Sequence, residues 1–88
     1  MELNILTENI KSKLLSSSFV ENVIIEDKTY LHVKHSSNDK NKFHLKLTIF
    51  SKDLKTVSKI DATKKIHNIL QNEIKNYIHS IQILFKQV

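Results

Sequence analysis

Cysteine, glycine, proline and arginine are all absent from this 88-residue chain; the lack of proline leaves no sharp punctuation, and the other three absences bear on function. Without cysteine there is no disulfide framework, no zinc knuckle, no thiol nucleophile and no self-contained iron–sulfur site with thiolate ligands. Soft-metal chemistry would have to borrow sulfur from another molecule. Without glycine, the phosphate-cradling loops of nucleotide hydrolases and dinucleotide-binding proteins are poor fits, because those loops need positive φ or a close backbone approach. Without arginine, the side chain best suited to bidentate reading of guanine or phosphate is missing, which argues against base-specific recognition. No run approaches the roughly 18 apolar residues of a membrane span. Met1-Glu2-Leu3-Asn4 lacks the basic and apolar regions of a signal peptide. A cytoplasmic protein with no membrane attachment is expected.

What is present fits one domain over residues 1–88, since so short a chain buries only ~60% of its unfolded surface and has no material for a second core. The formal charge of +5 is unevenly spread, with −2 over residues 1–33, +6 over 34–65 and +1 thereafter. The middle zone can attract phosphate or an acidic protein surface, and it can equally be a solvated lysine face.

Leu3, Leu6, Ile10, Leu14 and Leu15 recur at helical spacing, which predicts an amphipathic helix over 3–16 ended by Ser16-Ser17-Ser18. The β-branched stretch 22–26 predicts a strand extending toward Tyr30, and the polar stretch 36–41, SSNDKN, a mobile loop. Over 44–50, Leu45, Leu47 and Ile49 alternate with His44, Lys46, Thr48 and Phe50, the mark of a half-buried strand. Residues 51–57 read as one helical turn. Ser58, with Asp61 three residues on, then opens a long helix striped by Ile66, Ile69, Leu70, Ile74, Tyr77 and Ile78. Ile81, Ile83 and Phe85 alternate in a last strand. The expected fold is α/β in the order α-β-β-α-α-β, with helices packed on one face of a three-stranded mixed sheet.

Four pieces of this sequence resemble the BolA family, small proteins of class II KH-like fold. Glu26-Asp27-Lys28-Thr29-Tyr30-Leu31-His32 is similar to the family's acidic turn followed by serine, an aromatic or histidine, and a histidine. His44-Leu45-Lys46-Leu47-Thr48-Ile49-Phe50-Ser51 looks like its His-Phe strand leading to Val-Ser. Leu70-Gln71-Asn72-Glu73-Ile74 matches its Leu-x-x-Glu-Leu, and Ile78-His79-Ser80-Ile81 its aliphatic-His-Ala-Leu. The resemblance covers about Leu6 to Ile83 and implies an interaction protein that partners a monothiol glutaredoxin in handling a [2Fe-2S] cluster shared with glutathione. It further implies ligands from a helix histidine and from the loop after the first strand. This chain reads Ala62-Thr63-Lys64 where the family has a histidine between arginines. A hydroxyl is a poor ligand for such a cluster, so ligation is expected to be weakened or lost.

The histidines then divide. In Thr29-Tyr30-Leu31-His32-Val33-Lys34-His35, the two imidazoles fall on opposite faces of an extended strand but can meet in a turn. The resemblance makes His35 the loop ligand, Lys34 a contact for an acidic partner, and His32 a weaker candidate that reads better as structural. His67, one helical turn past Thr63, is the candidate compensating ligand, with a packing role toward the buried stripe as its alternative. His44 and His79 read as hydrogen-bonding residues that fix the fold. No cysteine, paired carboxylates or serine with a base supports catalysis, so the expectation is a non-enzyme. It would be a monomer alone or a heterodimer with its partner. The alternative is a nucleic-acid-binding transcriptional regulator using Lys52, Lys55, Lys59, Lys64 and Lys65. KH modules clamp the backbone with a Gly-x-x-Gly loop, whereas the equivalent turn here is Lys52-Asp53-Leu54-Lys55.

Overall fold

A computed structural model describes residues 1–29 and 42–88. The first amphipathic segment forms α1 (Leu3–Leu15), which buries Leu6, Ile10 and Leu14 along one stripe. Ser16 is its C-cap, and the Ser16 hydroxyl donates to the Ser12 carbonyl at 2.8 Å. That bond gives the serine an alternative to continuing the helix.

The β-branched stretch forms β1 (Asn22–Asp27), antiparallel to β2 (Phe43–Ser51). β2 also pairs in parallel with β3 (Ile78–Gln87), so the sheet order is β1-β2-β3 and β2 lies at the centre. Leu45, Leu47 and Ile49 of β2 point into a core shared with the α1 stripe and with Ala62, Ile66 and Leu70. Parallel neighbours need a crossover connection, and here it is α2 (Lys59–Ile69) followed by α3 (Gln71–Tyr77). The helices therefore cover one face, as the alternation of β2 predicts. On the other face, Thr48 lies between its cross-strand partners Ile24 and Leu84. Thr48 is buried although, among the described residues, no helix lies on that face.

The element order agrees with the sequence reading, but two helical boundaries fall elsewhere. Residues 51–57 contribute the end of β2 and then a single turn closed on the Asp53 carbonyl, which accepts from the Thr56 and Val57 N–H groups, each at 3.1 Å. The long helix divides at Leu70, whose φ of −103° and ψ of 14° leave helical geometry. The i→i−4 bonds on either side survive, from the Leu70 N–H to Ile66 at 3.0 Å and from the Ile74 N–H to Leu70 at 2.8 Å. No proline or glycine marks the break, and Leu70 itself is fully buried in the core. Ser58 caps α2 as its spacing implies, accepting from the Asp61 N–H at 3.1 Å. The stretches 30–35 and 36–41, including the expected loop, lie outside the described residues.

One charge enters the core. Glu73 of α3 is only 4% exposed, and its Oε2 accepts from Lys13 Nζ of α1 at 2.6 Å. Its Oε1 has no hydrogen-bond partner among the described residues. A carboxylate in that position depends on its lysine, because an unpaired buried charge costs more than an apolar replacement of the same volume.

Two stability comparisons follow from this packing and can be read by urea denaturation. Leu6→Ala should cost about 2–5 kcal/mol, while its sequence neighbour Ile5→Ala, at a position 49% exposed, should stay within ~0.5 kcal/mol of the parent. Lys13→Ala should cost roughly 1–3 kcal/mol, discounted because the lysine is partly solvated. Glu73→Met should lie within about 1 kcal/mol of the parent or exceed it. Equal losses for the last two would show that the ion pair itself, rather than relief of an unpaired carboxylate, governs this contact.

Candidate functional site

The paired ends of β1 and β2 are tied by a small polar network. The Asp27 carboxylate accepts from both the N–H and the hydroxyl of Thr29, the local bonding that aspartate favours at a turn. Thr29 Oγ1 in turn accepts the backbone N–H of His44 at 3.1 Å, and the His44 carbonyl accepts the Lys28 N–H at 2.7 Å. The acidic turn noted in the sequence thus clamps the start of β2 and fixes where the His44 ring projects.

Across the sheet, the register between β2 and β3 slips at this level. Phe43 pairs with Ile78 but His44 pairs with Ser80, so His79 is an extra residue on β3. Such a bulge re-aims a side chain that strict alternation would send to the opposite face. Two consecutive residues of β3 consequently both address His44. Ser80 Oγ shares a hydrogen bond with His44 Nδ1 at 2.6 Å, and the His79 ring lies against the His44 ring with centroids 4.9 Å apart and planes inclined by 39°. His44 is buried and His79 is exposed. The result is one imidazole presented to solvent and braced by a second that the fold holds in place.

The residues singled out in the sequence are distributed differently. His32, Lys34 and His35 lie outside the described residues. Their segment departs from Thr29 and returns at Lys42, so both of its anchors flank His44. His67 is in the last turn of α2 and exposed. The packing alternative for it, a ring turned into the buried stripe, does not hold, because Ile66 and Leu70 occupy that stripe. The Thr63 hydroxyl donates to the Lys59 carbonyl at 2.8 Å and is committed to its own helix. His44 bonds as expected. His79 stands in β3, two residues past Tyr77, the last residue of α3. The pairing of His44 with His79 was not legible beforehand, since it arises from a one-residue register shift. Their distance in sequence carries no trace of it.

Among the described residues no three histidine, cysteine, aspartate or glutamate side chains converge on a metal-sized site. The donor set fits a [2Fe-2S] cluster in one way only. Such a cluster needs four ligands, mostly thiolate, with imidazole tolerated on one iron. This chain can contribute imidazole and no thiolate.

The lysines form a second feature. Lys52 and Lys55 are exposed in the turn after β2, and Lys59, Lys64 and Lys65 are exposed on α2. Lys52 Nζ approaches Glu21 at 3.9 Å, and Lys65 Nζ lies 5.8 Å from the centre of the Phe19 ring, itself edge-on to Phe85. Among the described residues no helix is long and apolar enough to cross a membrane.

Comparison with known proteins places these features in a family. The BolA-like protein family matches residues 15–87. The fold is shared with the BolA domain of SufE1 from Arabidopsis thaliana, at 24% identity and TM-score 0.70 over 99% of this chain and 94% of that one. It is shared with BolA1 from Arabidopsis thaliana, at 20% identity and TM-score 0.69 over 99% and 92%. BolA1 from Mus musculus gives TM-score 0.72 at 17% identity, over 93% of this chain and 64% of that one. No curated protein matches in sequence. The pattern spanning most of the chain, on an α-β-β-α-α-β fold with a three-stranded mixed sheet, shows that this chain belongs to the BolA-like protein family.

Proposed function

We propose that this BolA-like chain is an accessory protein that docks on a monothiol glutaredoxin and offers an imidazole to the [2Fe-2S] cluster which that partner carries with glutathione. The observation that supports it is the bulge at His79, which turns one histidine outward against a buried, hydrogen-bonded second. A ligand works best when a second shell fixes its ring, and the Thr29–His44–Ser80 arrangement supplies that fixing.

On this reading His79 replaces His67 as the donor from the described residues. His67 is exposed on the surface of α2. His35 keeps the role that the family resemblance gives it, as the donor from the segment between Thr29 and Lys42. Cysteine and glutathione sulfur come from the partner, which is why the protein assists and does not assemble a cluster alone. Lysine-driven nucleic-acid binding ranks second. The turn at 52–55 carries the acidic side chain of Asp53, and the Asp61 N–H at the start of α2 is already taken by Ser58.

The test is visible circular dichroism of a cluster-loaded monothiol glutaredoxin with glutathione, titrated with this chain. The parent should change the spectrum saturably, His79→Ala should abolish the change, and His67→Ala should preserve it. A flat titration with the parent, or a full response from His79→Ala, would overturn the reading.

A further inference from the structure

The two edges of the sheet are unequal. β1 carries Glu26 and Asp27 on the strand with Glu21 just before it, and charge of that density discourages another strand from pairing. β3 pairs on one side with β2, and among the described residues no strand pairs on its other side. Residues 80–85 of that strand, SIQILF, contain no charge and no proline. An uncharged edge of this length is the template on which an extended segment adds.

A groove runs beside this edge. Leu54 and Val57 of the turn, Lys59 of α2, and Leu84 and Phe85 of β3 enclose about 230 Å³. That is smaller than the usual pocket for a cofactor-sized molecule, and of the order of one or two side chains. Leu84 is 41% exposed although it is leucine. The rim is cationic: Lys59 lines it, Lys55 sits in the same turn, and Lys86 follows Leu84 on the outer face of β3. Among the described residues none of these three lies in an ion pair. Asp53 and Asp61 nearby reduce the positive balance without cancelling it.

We infer that the outer edge of β3 binds an extended acidic segment of a partner protein as a fourth strand, with an apolar side chain in the Leu54–Phe85 groove and carboxylates against Lys55, Lys59 and Lys86. The backbone supplies the hydrogen bonds of strand addition, and the groove and the lysines supply selection. The surface is separate from the histidine pair. Leu84 and Phe85 stand five and six residues beyond His79 on the same strand, roughly 20 Å away at the rise of an extended chain.

The probe is a capped eight-residue synthetic peptide alternating valine or leucine with glutamate, titrated into the full nitrogen-15-labelled chain with no cluster or glutaredoxin present. Its outcome is therefore independent of the reading for His79. Saturable shifts are expected at residues 54–59 and 82–87, with affinity falling several-fold between 50 and 300 mM salt. The double variant Lys59→Glu with Lys86→Glu, both fully surface positions, should weaken binding about tenfold or more. Leu84→Glu should do the same, with far-ultraviolet circular dichroism verifying that each variant is folded. Four results would overturn the inference: no saturable shifts at millimolar peptide; equal binding of a peptide with lysine in place of glutamate; sedimentation showing that a second copy of the chain already occupies this edge; or shifts at the same amides from single-stranded DNA and none from the peptide.

Discussion

Because β2 and β3 run parallel, the chain between them has to return from one end of the sheet to the other, and that return lays α2 and α3 over a single face. The other properties of the molecule rest on this pairing. It makes β2 central, so Leu47 and Ile49 are fully buried in a chain of only 88 residues. It places the start of β3 beside the start of β2, which brings His79 and Ser80 to His44. It also leaves the far side of β3 as an edge. A domain of this size has little apolar area to spare, and concentrating it on one side of one sheet is how the fold obtains a core.

The histidine pair illustrates how a fold can hold an exposed side chain in a fixed place. His44 is held from three directions, through its N–H by Thr29, through its carbonyl by Lys28 and through its ring by Ser80. The exposed His79 inherits that rigidity by ring contact. A preorganised donor loses less conformational entropy on binding than a free surface side chain. On the proposed reading, the absence of cysteine leaves such a donor one role, to complete a coordination sphere begun by another molecule.

β3 thus has two ends of different chemistry. Its start carries the bulge and the imidazoles, and its end lies against the Leu54–Val57 turn under a group of lysines. The acidic β1 edge contributes to the negative first third of the sequence, and the lysines of the turn after β2 and of α2 contribute to its positive middle. Folding brings these regions to opposite margins of one sheet, since β1 and β3 flank β2. The Lys13–Glu73 pair belongs to neither end. It ties α1 to α3 across the helical layer, where the apolar stripes alone leave the choice of partner open.

The sequence by itself determined the elements and their order. The 3.6-residue stripe of Leu6, Ile10 and Leu14, the strict alternation through β2, the Ser58–Asp61 cap and the family pattern around Asp27, His44, Glu73 and His79 are all local signals, written within a few residues of where they act. The same sequence also ruled out thiolate chemistry and argued against glycine-loop chemistry, because an exclusion can rest on composition alone. Only the tertiary structure decided that Leu70 breaks the long helix, that Glu73 is buried on Lys13, that His67 faces solvent, and that His79 meets His44 through a one-residue slip. Each of these depends on which surfaces meet across the sheet and the helical layer, and register between distant strands leaves no periodic mark in a single chain.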